Sequence, residues 1–434
     1  MFADDLTLLS RLKKGLDHLL QTLSTYGKVW RIVFNVKKTV TLVFGERTRK
    51  NIEPIRNWFL GNVLIEEKKT WRNLGMIWKT DNNFEDIVDS VINKGSEAIA
   101  LLASFGCRHG GLNPRISVKL WKSIALPHML YGCELWYLNS RQIKKLGKIL
   151  NVFCRIVQSL LPGTSGSAAR GLLGLVSIKA EISKRKLYFL GRIINSSLEL
   201  AHRKLFVRRL IKWKWRGEKI TGFIPNIIKI LEEFELLGYV EDFIKNDCFP
   251  LKESWKKVVN NAIFKREESI WSDKINQKPV LKLYWCAHPS LQLSKWYEVW
   301  DYSPTDSQMV VDVIRLLCGS LKINNDRLGN PGTQSGTCSA CARIFNNPIH
   351  HAFLYCSATQ NARENWWAWT MDNLPITVAT FLNSLDDNQL IQIQLGDLSN
   401  VNENVENSLD NSFWLQTAYL ISYCVQNSVF DPFD

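Results

Sequence analysis

Four potential metal donors fall within nineteen positions of one another near the C-terminus. Cys338 and Cys341 are separated by two residues, the pair His350-His351 follows nine residues on, and Cys356 closes the set. Two thiolates held by a short turn, joined by a histidine and a cysteine from the next element, supply the soft and borderline donors of a closed tetrahedral Zn²⁺ site. No other feature restricts the fold as strongly, because both elements must bring their ligands to one point. On chemistry alone His351 and His350 compete for the third position. With four protein donors no position is left for substrate, so the site is expected to be structural. The chain opens Met1-Phe2-Ala3-Asp4-Asp5, acidic where the basic start of a signal peptide would sit, which predicts a nuclear or cytoplasmic setting. In such a setting the ten cysteines are expected as free thiols or metal ligands.

Charge is unevenly distributed. The net charge is +14, but residues 371–434 hold nine Asp/Glu and no Lys or Arg. The preceding body is therefore more basic than the whole chain, and the densest stretch, Lys179 to Lys219, sets thirteen Lys/Arg against three Glu. Such a body predicts a polyanionic partner, RNA or DNA. Binding is expected to centre on Arg208, Arg209, Lys212 and Lys214 with neighbouring helices. At 434 residues, 46% hydrophobic and 22% charged, the chain is expected to fold as two or three domains and not to be disordered. Its longest apolar stretches, such as Ile124 to Leu138, are interrupted by Pro, His and Glu and predict no membrane span.

Hydrophobic periodicity predicts an α+β, mainly helical protein. Met1 to Leu9 reads as a β-hairpin with Asp4 and Asp5 at its tip. Ser10 reads as the N-cap of a helix through Leu12, Leu16, Leu19, Leu20 and Leu23 that Tyr26-Gly27 ends. Strands are expected at Ile32 to Phe34 and Thr39 to Phe44, around the turn Asn35 to Lys38, and a strand pair at Val63 to Ile65 and Leu74 to Trp78. From Phe84 the pattern is helical to about Tyr302, and residues 317–337 read as a linker. Lys212-Trp213-Lys214-Trp215-Arg216 alternates cations with indoles, a pattern that suits a stacking-and-phosphate strip for single-stranded nucleic acid, but the favoured expectation is that both indoles pack on neighbouring helices while the cations face water. Cys286 and His288 are expected in the core.

Two adjacent carboxylates on a tight turn repel unless a cation neutralises them, and pairs of Mg²⁺ ions serve this way in phosphoryl transfer. Asp4 and Asp5 are thus candidate Mg²⁺ ligands. Several motifs follow in order: Phe2-Ala3-Asp4-Asp5; Tyr26-Gly27 with Phe34-Asn35-Val36-Lys37-Lys38-Thr39; Trp71 with Leu74-Gly75; Leu130-Tyr131-Gly132-Cys133-Glu134-Leu135-Trp136; and the Cys/His set. In this order the chain resembles the reverse transcriptases of non-LTR (LINE-type) retrotransposons from the middle of their palm onward. Trp71-Arg72-Asn73 departs from the family's tyrosine form.

The resemblance implies that Asp4 and Asp5 bind the catalytic metals of an RNA-directed DNA polymerase and that Lys38 sits near the incoming nucleotide. Trp71 and Gly75 are expected to serve hairpin packing. The four-residue gap to Cys356 selects His351 over His350, and the flanks Ile314-Arg315-Leu316-Leu317, Asp326-Arg327-Leu328 and Arg363 with Trp366-Trp367 match the family's zinc segment. The family's third palm carboxylate and its fingers precede the Asp-Asp hairpin, so the resemblance implies an N-terminally truncated form that does not polymerise alone. The expected layout is a palm remnant (1–80), a helical thumb and connection (81–310), a zinc-binding segment (311–370) and an acidic tail (371–434) that docks on the basic body. Some site-specific relatives carry a lysine-dependent endonuclease after the zinc segment, and the resemblance implies that this lysine-free tail does not. A different class of function, a non-enzymatic zinc-containing RNA- or DNA-binding protein derived from such an element, fits the same residues.

Overall fold

The computed structural model describes residues 5–45, 57–81, 83–217, 222–300, 304–323, 326–328, 334–399 and 401–431. Met1–Asp4, and with them Asp4 and the first four residues of the predicted hairpin, lie outside the described residues. The fold is mainly helical with small sheets. Among the described residues no helix is long and apolar enough to cross a membrane. All ten cysteines are free. The chain divides into two compact units, Met1–Ser90 and Val91–Asp434.

The first unit packs the helix Lys13–Trp30 on a sheet of order β1 (Val40–Thr41), β3 (Val63–Glu67), β2 (Trp58–Leu60). Leu20, Trp58, Leu60 and Ile65 form its small core. Leu12 is the N-cap position, and Ser10 Oγ accepts from the Leu12 amide one step earlier. Gly27 does not end the helix, which continues to Trp30 and stops at Arg31 in the left-handed conformation. Gly27 instead admits the returning chain: a Cβ there would lie 2.8 Å from the Ile32 carbonyl oxygen and 2.9 Å from the Phe34 ring. That return leaves Ile32 to Phe34 as irregular chain and not a strand, and only Val40–Thr41 of the next predicted strand pairs, parallel to β3. Residues Leu6 to Ser10 form no strand.

The strand pair predicted between Val63–Ile65 and Leu74–Trp78 is replaced by two local hairpins. β3 pairs antiparallel with β2, and β4 (Thr70–Asn73) pairs with β5 (Met76–Lys79). Asn73 faces Met76 across Leu74-Gly75, both at positive φ, the mirror-image turn that suits a right-twisted two-residue hairpin. Local turns close small loops and win over the longer-range pairing.

In the second unit the helices Ile178–Ile194, Ala201–Arg216, Phe223–Glu233, Leu237–Asn246 and Lys252–Asn276 share one apolar core. An ion pair is buried nearby: Arg170 Nη1 lies 3.3 Å from Glu267 Oε2, and both side chains are almost wholly enclosed. Glu267 also accepts from the Ser177 amide at 2.8 Å. His288 is buried, with Nε2 3.1 Å from the Gly171 carbonyl oxygen, while Cys286 is half-buried. The predicted linker is partly structural, since Leu321 and Ile323 are buried and Lys322–Ile323 (β6) pairs with Asp326–Arg327 (β7). The tail docks through apolar faces. The helix Asn411–Gln426 packs on Pro304–Leu317 and Gln360–Asn373 and buries Phe413, Ala418, Ile421 and Cys424. Inside that contact Asp312 accepts from Ser422 Oγ at 2.6 Å and Gln426 Nε2 at 2.9 Å.

Candidate metal centre

The strands β8 (Gly336–Thr337) and β9 (Ile344–Phe345) pair antiparallel and hold the Cys338–Cys341 turn between them. The Cys338 amide donates to the Arg343 carbonyl oxygen and the Ala342 amide to that of Cys338, both at 2.9 Å, with Ala342 at a φ of 58°. This tight knuckle aims both thiols to one side. The opposite wall begins at Asn347, whose Oδ1 accepts from the Ile349 and His350 amides and caps the turn opened by Pro348. From His351 to Tyr355 the chain widens into a π-helical turn in which the Cys356 amide donates to the His351 carbonyl oxygen at 2.7 Å. At about 100° per residue an α-helix would place residues five apart roughly 140° from each other. The wider turn, common at functional sites, brings His351 and Cys356 to the same side.

The donor atoms of Cys338, Cys341, His351 and Cys356 all lie within 4.8 Å of one another. Cys338 Sγ is 3.9 Å from Cys356 Sγ, and Cys341 Sγ is 3.3 Å from His351 Nε2. With Zn–S near 2.3 Å and Zn–N near 2.0–2.1 Å, tetrahedral angles put sulfur pairs ~3.8 Å apart and sulfur–nitrogen pairs ~3.6 Å apart. The cluster is therefore sized to hold a metal ion such as zinc. His350 is not part of it. Cys338, His351 and Cys356 are buried and Cys341 half-buried, so such an ion would be largely shielded from water.

The electrostatics suit cation binding. Burial, reinforced by Arg343 and Arg363, holds the His351 ring below its ordinary pKa, in the neutral form a metal ligand requires. Burial pushes the Cys341 thiol up, but hydrogen bonds from the Arg343 backbone, the Cys338 and Cys356 thiols and the Ser357 backbone more than offset it, leaving the group below the usual thiol range. Burial and the neighbouring cysteines push Cys356 up to about 11. Three crowded thiols cannot all ionise without a cation among them. Arg363 Nη1 donates to the Cys356 carbonyl oxygen at 2.8 Å and to Thr359 Oγ1 at 2.6 Å, fixing the far side of the site. Arg343 is an unexpected contributor to the site, and its place two residues past the second cysteine, inside the knuckle, is the sequence signal for it.

The remaining candidates lie elsewhere. Asp5 is exposed, and Lys38 is exposed at the end of a 3-10 turn capped by Asn35. Trp71 lies in β4 beneath Lys68, whose Nζ is 4.9 Å from the ring centroid. Among the described residues no second group of three or more His, Cys, Asp or Glu converges. Arg208, Arg209, Lys212 and Lys214 are all exposed on the helix Ala201–Arg216. The expectation that both indoles of this segment pack inward is corrected. Trp213 packs on the core, whereas Trp215 is 83% exposed.

No protein-family model, no curated protein and no solved structure matches this chain.

Proposed function

We propose that this chain is the C-terminal part of a non-LTR retrotransposon reverse transcriptase that binds RNA and DNA, with Zn²⁺ held by Cys338, Cys341, His351 and Cys356. The observation that carries the reading is the convergence of these four donors at the point where the family's zinc segment follows its other motifs. The exposed cations of Ala201–Arg216 support nucleic acid as the partner. In this reading the zinc ion is structural. It draws the knuckle and the His351–Cys356 turn together into a small module, and no step of catalysis passes through it. Asp4 and Asp5 belong to the Mg²⁺-binding hairpin of the polymerase, and Lys38 to its nucleotide pocket.

Binding led by these cations is mostly electrostatic. Each neutralised phosphate releases counterion, so the logarithm of affinity falls with the logarithm of salt by about 0.7–0.9 per contact. The test is a salt titration of binding to RNA and DNA by the whole chain and by a variant with Arg208, Arg209, Lys212 and Lys214 changed to Ala. A steep slope that flattens by roughly three units in the variant is expected. Salt-independent binding, or a variant indistinguishable from the parent, rejects the reading.

A further inference from the structure

The helix Ala201–Arg216 has one face in the core and one in water. Phe206 and Leu210 are buried, and Trp213 packs against the same cluster. On an α-helix two residues stand about 200° apart, so a helix that buries Trp213 must turn Trp215 outward. The outward stripe holds Arg208, Ile211, Lys212 and Trp215, spaced at three and four residues and all exposed. Among the described residues neither Arg208 nor Lys212 has an ion-pair partner, whereas Lys204, one turn earlier, is tied to Glu199 at 2.9 Å. An indole left in water beside two unneutralised cations satisfies no packing need of this chain.

We propose that this stripe binds single-stranded nucleic acid, with the Trp215 indole as a stacking platform for an unpaired base and Arg208 and Lys212 on the phosphates of the same strand. The inference rests on the nucleic-acid reading above and goes further by specifying the strand state. From residue 208 to 215 the helix rises about 10 Å, the reach of a very short run of nucleotides. A flat aromatic face offers stacking to any base, but only where that base is not already stacked in a duplex. Charge complementarity favours a polyanion. An anionic membrane is disfavoured because Arg208 and Lys212 interrupt the apolar stripe at the level of Ile211 and Trp215, leaving no continuous apolar width to insert.

The test uses the whole chain with a fluorescent oligothymidylate of about 20 nucleotides, long enough for one site, and a blunt duplex of the same length. Trp215→Ala is expected to weaken binding of the single strand by about five- to hundredfold, with Trp215→Phe restoring most of it and the salt slope unchanged. Duplex binding should change less than about twofold, because its bases are unavailable for stacking. Arg208→Ala with Lys212→Ala should flatten the salt slope on both probes. Because Trp215 is exposed, its replacement should leave the far-ultraviolet circular dichroism and melting temperature unaltered. A parent chain that binds salt-dependently while Trp215→Ala equals it on the single strand overturns this inference alone. A parent that binds neither probe overturns the nucleic-acid reading beneath it. Retention on phosphatidylserine vesicles that Trp215→Ala abolishes, with oligothymidylate binding intact, assigns the stripe to a lipid surface instead.

Discussion

Cys341 Sγ and His351 Nε2, ten positions apart in sequence, stand 3.3 Å from each other, within reach of a single ion. The pair belongs to different elements, a knuckle between two short strands and the start of a π-helical turn. An ion held between them would tie the two elements together and contribute folding free energy directly.

Purified protein should therefore contain about one Zn²⁺ per chain, and Cys341→Ser should lose it. His350→Ala should retain it, because His350 stands outside the cluster. Metal analysis of the three proteins after dialysis checks this. Zinc-free parent protein, or loss on His350→Ala, contradicts the assignment.

This 434-residue chain should add no nucleotide to a primer on an RNA template with Mg²⁺. Two-metal phosphoryl transfer needs several carboxylate oxygens around both ions. Asp5 is exposed, and among the described residues no acidic group joins it in a cluster of three. Each missing 1.36 kcal/mol of transition-state stabilisation is about tenfold in rate. Extension above background that vanishes in Asp4→Asn would sink this expectation.

Removing one partner of the buried Arg170–Glu267 pair strands the other charge. Arg170→Ala should lower unfolding free energy by about 3–5 kcal/mol, whereas Arg170→Met combined with Glu267→Leu should recover much of that. Urea titrations measure both. A single variant within about 1 kcal/mol of the parent would mean that water reaches Glu267.

Lys186 provides a pH test. It is buried, with Nζ donating to the Trp136 carbonyl oxygen and, at 2.6 Å, to Asn226 Oδ1, and burial lowers its pKa from 10.5 to about 8. Below about pH 8 the lysine is charged in both states and the penalty for burying that charge is complete. As pH rises from about 8 towards 10.5 the folded protein releases this proton before the unfolded chain does, so the lysine's contribution moves towards greater stability. Buried thiols oppose it higher up. Burial raises Cys133 and Cys154 from 9.0 to about 12, which favours the unfolded chain above pH 9. Stability should thus rise between pH 8 and 9, and Lys186→Met should flatten that rise. Melting temperatures across this window decide; an unchanged slope in the variant would assign the rise to other groups.

The metal donors were legible because their chemistry is written in spacing, whatever the backbone does between them. The π-helical turn that lets His351 and Cys356 share a side was not, since nothing in Ala352 to Tyr355 departs from ordinary helix formers. Gly27 misled because a glycine that ends a helix and one that admits a crossing chain look alike in sequence. The Leu74-Gly75 turn carries its own signal in the glycine, and its short loop pairs β5 with the adjacent β4 and not with the more distant Val63–Ile65. Composition treats the two tryptophans of the basic segment alike, whereas two-residue spacing on a helix separates them into core and solvent.

Arg363, whose guanidinium grips the Cys356 carbonyl oxygen, is also the last Lys or Arg of the chain. Between Glu364 and Asp434 trypsin finds no site, so a cut after Arg363 leaves that whole span in one piece. That piece includes the helix Asn411–Gln426, which packs against the His351–Tyr355 turn, and Ser428, whose carbonyl oxygen accepts from Ser339 Oγ at 3.2 Å. If the four donors hold an ion, its loss should loosen both sides of this clasp and expose the peptide bond after Arg363. The appearance of one large acidic fragment during limited digestion then becomes a clock for the exchange of the ion.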